Sequence, residues 1–254
     1  MQITATAGLS PIQERRERVF LCLAGVFICA MTLLNVIGIT RFVQLGPMAL
    51  AVGVLPYPIT FLCTDLISEL YGKKRAQFVV TVGLALNGFI LAVMSLGAWL
   101  PSVPEATQAP WQNIMLAQAL PLPNGSTLEG QVELFHLLYA CTSGAVVASM
   151  LAYVVAQYVD VHLFHFWKQL TRGRHLWLRN NFSTLISQGV DSFMVISVTF
   201  GALWLAGGIS TGELGVLMAS NYLFKMTVAL LDTLPLYWLV AKLSQYMDLD
   251  RSAA

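Results

Sequence analysis

Six segments of this chain are too apolar and too long for a water-soluble domain of ordinary composition. They cover residues 19–40, 46–71, 76–100, 134–160, 182–207 and 214–243. A helix needs roughly 20 mostly apolar residues to cross the ~30 Å hydrocarbon core of a bilayer, and each segment reaches that length. The pattern therefore predicts an all-α, polytopic helix bundle of about six transmembrane helices that sits in a lipid bilayer.

The composition excludes two other classes of protein. Only 11% of the residues are charged and 57% are hydrophobic, whereas about a quarter of the residues of a soluble domain are charged. The formal net charge is +1, and no stretch is basic enough to follow a phosphate backbone. We therefore expect neither a soluble enzyme nor a nucleic-acid partner.

The usual sequence signs of metal, cofactor or covalent chemistry are missing. All four cysteines lie inside apolar runs, and none forms a CxxC or Cys/His cluster typical of a metal site. No phosphate-binding loop, HExxH motif or Ser/His/Asp arrangement is present either. The sequence predicts no metal, no cofactor and no catalytic residue, although an intramembrane enzyme is kept as a distant alternative.

The basic residues predict how the bundle is oriented. Positively charged loops stay on the cytoplasmic side of bacterial membranes. With six spans and a cytoplasmic N-terminus, that side holds Arg15, Arg16, Arg18, Lys73, Lys74, Arg75, Lys168, Arg172, Arg174, Arg179, Lys242 and Arg251. We expect residues 1–18 and 244–254 to be cytoplasmic, 19–243 to form one membrane domain, and the connection 101–133, which has no Lys or Arg, to be external.

A stripe of small residues marks one face of the fourth segment. Its members recur every four residues: Ala140, Gly144, Ala148, Ala152 and Ala156. Small residues at this spacing allow a second helix to approach closely. The partner is either a helix of the same chain, which we favour, or a second copy in a homo-oligomer.

Ionisable side chains inside a membrane need a reason, since each costs roughly 2.5–3.5 kcal/mol at the centre of a helix. In the second segment Phe61, Asp65 and Glu69 follow one another at four-residue steps and share a helix face. Glu69 could pair with Lys73 at the cytoplasmic boundary instead of binding a ligand. Asp65 lies one turn deeper, where such pairing is harder.

The fifth and sixth segments each carry a polar stripe. The stripes consist of Thr184, Ser187, Gln188 and Asp191, and of Asn221, Lys225 and Asp232. Polar stripes on apolar helices face the bundle interior or a wet cavity. We expect Lys225 to pair with Asp191 or Asp232, either as a clamp between helices or as part of a ligand site.

The run PITFLCTDLISELYGKKRAQ resembles the signature of the queuosine precursor transporter family, bacterial membrane proteins once grouped as vitamin uptake transporters. The segments AQYVDVHLFHFWKQL, ISQGVDSFMVISVTF and NYLFKMTVALLDTLPLYWL are similar to the same family. The resemblance implies import of 7-cyano-7-deazaguanine and 7-aminomethyl-7-deazaguanine across the inner membrane. It also implies an architecture similar to the substrate-binding components of energy-coupling-factor transporters.

The residues fit such a substrate. A buried carboxylate can accept two parallel N–H groups from a guanine-like edge, a role we expect of Asp65, and the flat ring can stack on Phe61, Tyr57 or Tyr222. The candidate binding residues are Phe61, Asp65, Glu69, Gln188, Asp191, Asn221 and Lys225. The main alternative is a binding subunit that needs a separate energising module.

Overall fold

The computed structural model describes residues 10–104, 107–171 and 176–249, which form seven α-helices with short strands at one end. The helices are α1 (Pro11–Val36), α2 (Tyr57–Tyr71), α3 (Lys73–Trp99), α4 (Leu134–Leu170), α5 (Leu176–Leu205), α6 (Thr211–Leu231) and α7 (Thr233–Tyr246). The strands are β1 (Phe42–Leu45), β2 (Met48–Ala51), β3 (Asn113–Met115), β4 (Leu120–Pro121), β5 (Thr127–Leu128) and β6 (Gln131–Glu133). They pair antiparallel as β1–β2, β3–β6 and β4–β5.

Most of the helices suit a bilayer. In the described ranges, five are long and apolar enough to cross a membrane: Pro11–Val36, Lys74–Trp99, Leu134–Ala156, Leu185–Leu205 and Thr211–Leu231. Many of their large apolar side chains point outward, among them Leu21, Phe78 and Leu230, which are 67%, 65% and 75% exposed. Helices satisfy their backbone groups internally and can present such side chains to lipid. The predicted class, an all-α polytopic bundle, is confirmed.

The extent predicted for the second segment, 46–71, needs correction. Its first part belongs to the β1–β2 hairpin and a 3-10 helix at Val52–Val54, and α2 has only 15 residues. Gly46 takes a φ of +58° in the turn of the hairpin, a conformation that favours glycine. Pro56 and Pro58 then confine the helix start, because proline is tolerated only in the first turn. Hydropathy alone does not separate this apolar hairpin from an apolar helix.

The predicted sixth segment, 214–243, is also divided. Helix α6 ends at Leu231, and α7 begins at Thr233 after a break at Asp232. Pro235 explains the break, because its ring lacks an N–H and clashes with the carbonyl of the residue four positions earlier, Leu231. The two helices together make the last pass through the bundle.

The first and the last described residues of the chain lie at the same side of the bundle, which we call the terminal end. Arg16 Nε of α1 donates to the carbonyl of Met247, 3.3 Å away, just after α7. The hydroxyl of Tyr71, at the end of α2, donates to the carbonyl of Arg16 at 2.7 Å. Arg75 at the start of α3 pairs with Glu17 of α1 at 3.3 Å. Over the described residues the chain therefore passes six times between the two ends, with α2 as a short second pass.

The opposite end is the hairpin end. Strand β2 packs against α6, and the ring of Phe42 contacts that of Phe200 on α5, with centroids 5.9 Å apart. Gly53 N donates to the carbonyl of Gly38 at 3.0 Å, which fixes the hairpin to the end of α1. The strands of the connection between α3 and α4 also lie here, with Gly125 close to Ala202 of α5.

The small-residue face of α4 is used within the chain. Ala148, Ala152 and Ala156 are buried, the first two completely, and the largest helix contact in the described part of the chain is between α4 and α5. Close packing of two helices over small side chains is the expected use of this motif. Packing within the chain therefore accounts for the buried part of the stripe, whereas at Gly144 no described residue of a neighbouring helix lies within 4 Å of a Cβ position.

Candidate functional site

A polar site lies inside the bundle where α2, α5 and α6 meet. Helix α6 contacts both other helices, and each of the three contributes polar side chains. The residues concerned are Tyr57 and Phe61 of α2, Gln188 and Asp191 of α5, and Lys225 of α6. Asp191 lies 14 residues from the nearer end of α5, and Lys225 lies six residues before the end of α6, where α7 continues the same pass, so the site is inside the bundle.

Its centre is an ion pair between Lys225 and Asp191. The Lys225 side chain is 5% exposed and that of Asp191 is 17% exposed. An ammonium ion at this depth requires a counter-ion, because an unpaired charge in an apolar interior is very costly. The structure thus selects Asp191, rather than Asp232, as the partner of Lys225.

Tyr57 connects this ion pair to Gln188. Its hydroxyl donates to Gln188 Oε1 at 2.9 Å, and the centroid of its ring is 4.9 Å from Lys225 Nζ, within the range of a cation–π interaction. Phe61 packs one helical turn further along α2, with its ring edge-on to Tyr57 at 4.5 Å between centroids. One tyrosine therefore contacts an amide, a cation and a second aromatic ring.

Asp65, Glu69 and Asn221 lie outside this contact network. Asp65 and Glu69 are exposed on α2, two and three turns beyond Tyr57 towards the terminal end, and Asn221 is half-buried on α6. Among the described residues, none of the three has a hydrogen bond or ion pair. The structure brings together Phe61, Gln188, Asp191 and Lys225, and leaves the other three candidates outside their contacts.

The carboxylate of Asp232 lies within electrostatic range of the carboxylate of Asp65. One oxygen of Asp232, Oδ2, is buried at the break between α6 and α7 without a hydrogen-bond partner in the described part of the chain. The predicted face shared by Asn221, Lys225 and Asp232 is thus interrupted, since Asp232 lies beyond the last turn of α6.

Two of the predicted residues have side chains outside the described set, Lys73 and Thr184. The alternative pairing of Glu69 with Lys73 therefore stays a prediction, as does the place of Thr184 in the polar stripe of α5. Ser187 of the same stripe is buried.

The hydrogen bond of Tyr57 is the feature that sequence reasoning missed. The sequence offered Tyr57 only as a surface for stacking. Its position before Pro58, at the first turn of a helix, indicates a fixed backbone. The partner of its hydroxyl could not be predicted, because Tyr57 and Gln188 are 131 positions apart in the sequence. Tyr222, the other aromatic candidate, lies over Gly189, where a Cβ atom would be 3.6 Å from Tyr222 Cε2.

The fold and this site define a polytopic membrane protein with a charged, aromatic-lined centre. The chain belongs to the family described as "putative vitamin uptake transporter", which matches residues 51–239. It is accordingly a membrane transporter and not an enzyme, and the resemblance seen in the sequence is confirmed.

Two similar proteins have related names. The chain is 26% identical over 200 residues to the "Probable queuosine precursor transporter" of Bacillus subtilis (strain 168), covering 76% of this chain and 73% of the relative. It is 25% identical over 190 residues to the "Queuosine precursor transporter" of Escherichia coli (strain K12), covering 73% and 70%. No solved structure matches the chain, so the likeness to energy-coupling-factor components stays a prediction.

Proposed function

We propose that this transporter imports queuosine precursors, the bases 7-cyano-7-deazaguanine and 7-aminomethyl-7-deazaguanine, for salvage into tRNA. The names of the two relatives support this substrate class. The observation that carries the proposal is the buried Lys225–Asp191 pair, with Tyr57 and Gln188 against it. A flat, polar base requires such a combination of charged, amide and aromatic groups.

The donor and acceptor pattern of a deazaguanine fits this site. Its guanine-like edge has one carbonyl acceptor beside two N–H donors. The ammonium of Lys225 and the amide of Gln188 can donate to the carbonyl, and carboxylate oxygens accept N–H groups. Asp65 has no cationic partner among the described residues, so it can accept two N–H groups in parallel.

The rest of the substrate has partners as well. The ring face stacks on Phe61 beside Tyr57, and the aminomethyl cation finds a further carboxylate. We propose as binding residues the full set Phe61, Asp65, Glu69, Gln188, Asp191, Asn221 and Lys225. Glu69 and Asn221 belong to it by their position on the same helices, next to the contact network.

The proposed orientation indicates at which end of the bundle an imported base enters. We infer that the chain sits in the bacterial inner membrane with both termini in the cytoplasm, as the basic residues favour. Residues 19–243 then form the membrane domain, and the connection 101–133 lies outside. The base would enter at the hairpin end and leave at the terminal end.

Uptake by the purified protein tests the proposal. Proteoliposomes that contain only this chain should accumulate radiolabelled 7-aminomethyl-7-deazaguanine, and protein-free liposomes should not. Activity without any other component also distinguishes an independent transporter from a binding subunit. Failure to bind either base would contradict the proposal, whereas binding without transport would indicate a missing energising module.

A further inference from the structure

Tyr57 controls which end of the Gln188 side chain is available to a ligand. A glutamine amide has an acceptor end, Oε1, and a donor end, Nε2. The hydroxyl of Tyr57 occupies Oε1 at 2.9 Å. No other described residue hydrogen-bonds to the amide, so its N–H groups are the part that remains for a ligand.

The surroundings of Tyr57 hold its hydroxyl in place. Its ring is fixed from two sides, by the Lys225 ammonium at 4.9 Å and by Phe61 at 4.5 Å. The backbone is fixed as well, because the carbonyl of Tyr57 accepts from Thr60 Oγ1 at 2.7 Å, and Pro58 follows directly. A hydroxyl can also accept from an amide N–H, but Gln188 Oε1 is the acceptor that the Tyr57 hydroxyl has among the described residues. Turning the amide would leave this O–H without an acceptor, which favours the present orientation.

The orientation of this amide matters because a 6-oxo base differs from a 6-amino base at N1, which carries a hydrogen only in the 6-oxo base, and in the group on C6. A 6-oxo base has a hydrogen-bond acceptor there, and a 6-amino base has a donor. An amide that presents its N–H groups to the base can donate to a 6-oxo group. Opposite a 6-amino group, the same amide places one N–H donor against another. A site built to pair with one polar group rejects an analogue that lacks it far more strongly than an apolar pocket can.

We propose that Tyr57 is a positioning residue that fixes Gln188 as a hydrogen-bond donor and thereby makes the site select bases with a 6-oxo edge. This inference rests on the proposed function, because it assumes that a deazapurine binds at Gln188. Tyr57 acts through Gln188 and need not touch the position that it selects. Phenylalanine in its place keeps the ring but releases Oε1, so the amide can turn and accept from a 6-amino group.

Binding of two matched bases to the purified full-length protein tests this role. The bases are 7-deazaguanine and 2,6-diamino-7-deazapurine, which differ in the group on C6 and in the hydrogen on N1, and calorimetry gives each Kd. Wild-type protein should prefer 7-deazaguanine. Since one hydrogen bond is worth about 0.5–1.5 kcal/mol, Tyr57→Phe should reduce the preference about three- to tenfold.

A double-mutant cycle shows whether Tyr57 acts through Gln188. Gln188→Met removes the amide at similar volume, so it should weaken binding of 7-deazaguanine and leave 2,6-diamino-7-deazapurine nearly unchanged. In that background Tyr57→Phe should not alter the preference further. Tyr139→Phe is the matched control, because it loses a comparable contact with Ser95 Oγ, 3.2 Å away between α3 and α4, and should keep the wild-type preference.

The outcomes separate the two proposals. If wild-type protein binds neither base, the proposed function and this inference both fail. If wild-type protein prefers 7-deazaguanine and Tyr57→Phe weakens both bases equally, only the inference is overturned, since a merely structural tyrosine would lower both affinities alike. Should Tyr57→Phe not fold, Gln188→Met alone decides: an unchanged preference overturns the inference, and a reduced preference supports it.

Discussion

Lys225 and Asp191 stabilise each other because both are buried, and each is costly without the other. Lys225→Met leaves the Asp191 carboxylate without its cation, and breaking a buried pair in this way typically costs about 3–5 kcal/mol. We expect the double variant Asp191→Asn/Lys225→Met to regain most of that stability, because both charges are then gone. Thermal unfolding in detergent measures the difference between the two variants.

Uptake by the same variants separates a binding site from a clamp between helices. If Lys225 donates to the base, uptake stays low in the double variant although its stability returns. Normal uptake by a stable double variant would instead show that the ion pair only holds α5 and α6 together.

Asp65 is the second residue whose role can be isolated. Asn in its place offers one acceptor and one mismatched donor to the base. Once the base covers residue 65, the mismatched donor of Asn is left unpaired, which costs about 1–3 kcal/mol, so Asp65→Asn should weaken uptake about tenfold at limiting substrate. The measurement is queuosine in the tRNA of cells that cannot make the precursors and receive little external base.

Asp248→Asn is the matched control for Asp65→Asn. It makes the same chemical change at an exposed residue of the terminal end, and we expect unaltered tRNA modification. Wild-type modification with a normally expressed Asp65→Asn protein would rule out recognition of the base by Asp65. Rescue by high external base would support a binding role over a folding one.

The hairpin between α1 and α2 depends on one close backbone contact. A Cβ atom on Gly53 would lie 2.6 Å from Gly38 Cα and 2.7 Å from the carbonyl oxygen of Leu34, so Gly53→Ala must displace backbone. Overpacking of this kind costs typically 1–3 kcal/mol. We expect a clearly lower unfolding temperature in detergent.

Gly88→Ala serves as the comparison for that variant. No atom lies within 4 Å of the Cβ position of Gly88 on α3, and alanine favours helix over glycine. This variant should unfold at the wild-type temperature or slightly above. Equal behaviour of the two variants would mean that the hairpin tolerates separation from α1.

At the scale of elements, sequence patterns predicted the long helices and missed the short ones. Length and hydropathy were sufficient for α1, α3, α4 and α5, because lipid requires a continuous apolar helix. They failed over residues 46–71, because an apolar hairpin has the same high mean hydropathy as an apolar helix.

The candidate site could also be predicted from the sequence only in part. The pairing of Lys225 with either of two aspartates followed from the cost of buried charge. The choice of Asp191, and the contact of Tyr57 with Gln188, depend on how α2 is rotated against α5 and α6. That rotation is set by packing over many residues, so no local sequence pattern reveals it.

The whole molecule makes a prediction about sidedness. Because Arg16 and Met247 are in contact, residues near the two ends of the described chain must face the same compartment. In a variant without the native cysteines, Ser126→Cys should react with an impermeant maleimide in intact cells. Gln13→Cys should react only after the membrane is opened. Labelling in the opposite order would reverse the proposed orientation.

The contact between the first and last helices also dictates an order of assembly. Arg16 is synthesised early, whereas its partner Met247 follows 231 residues later. Chains emerge at about 5–20 residues per second, so α1 must wait at least about ten seconds for this contact. A ribosome that stops before α7 leaves Arg16 and Tyr71 without Met247, whose carbonyl accepts from Arg16 and whose Sδ lies 3.0 Å from the Tyr71 hydroxyl. Such a chain is a ready substrate for membrane quality-control proteases.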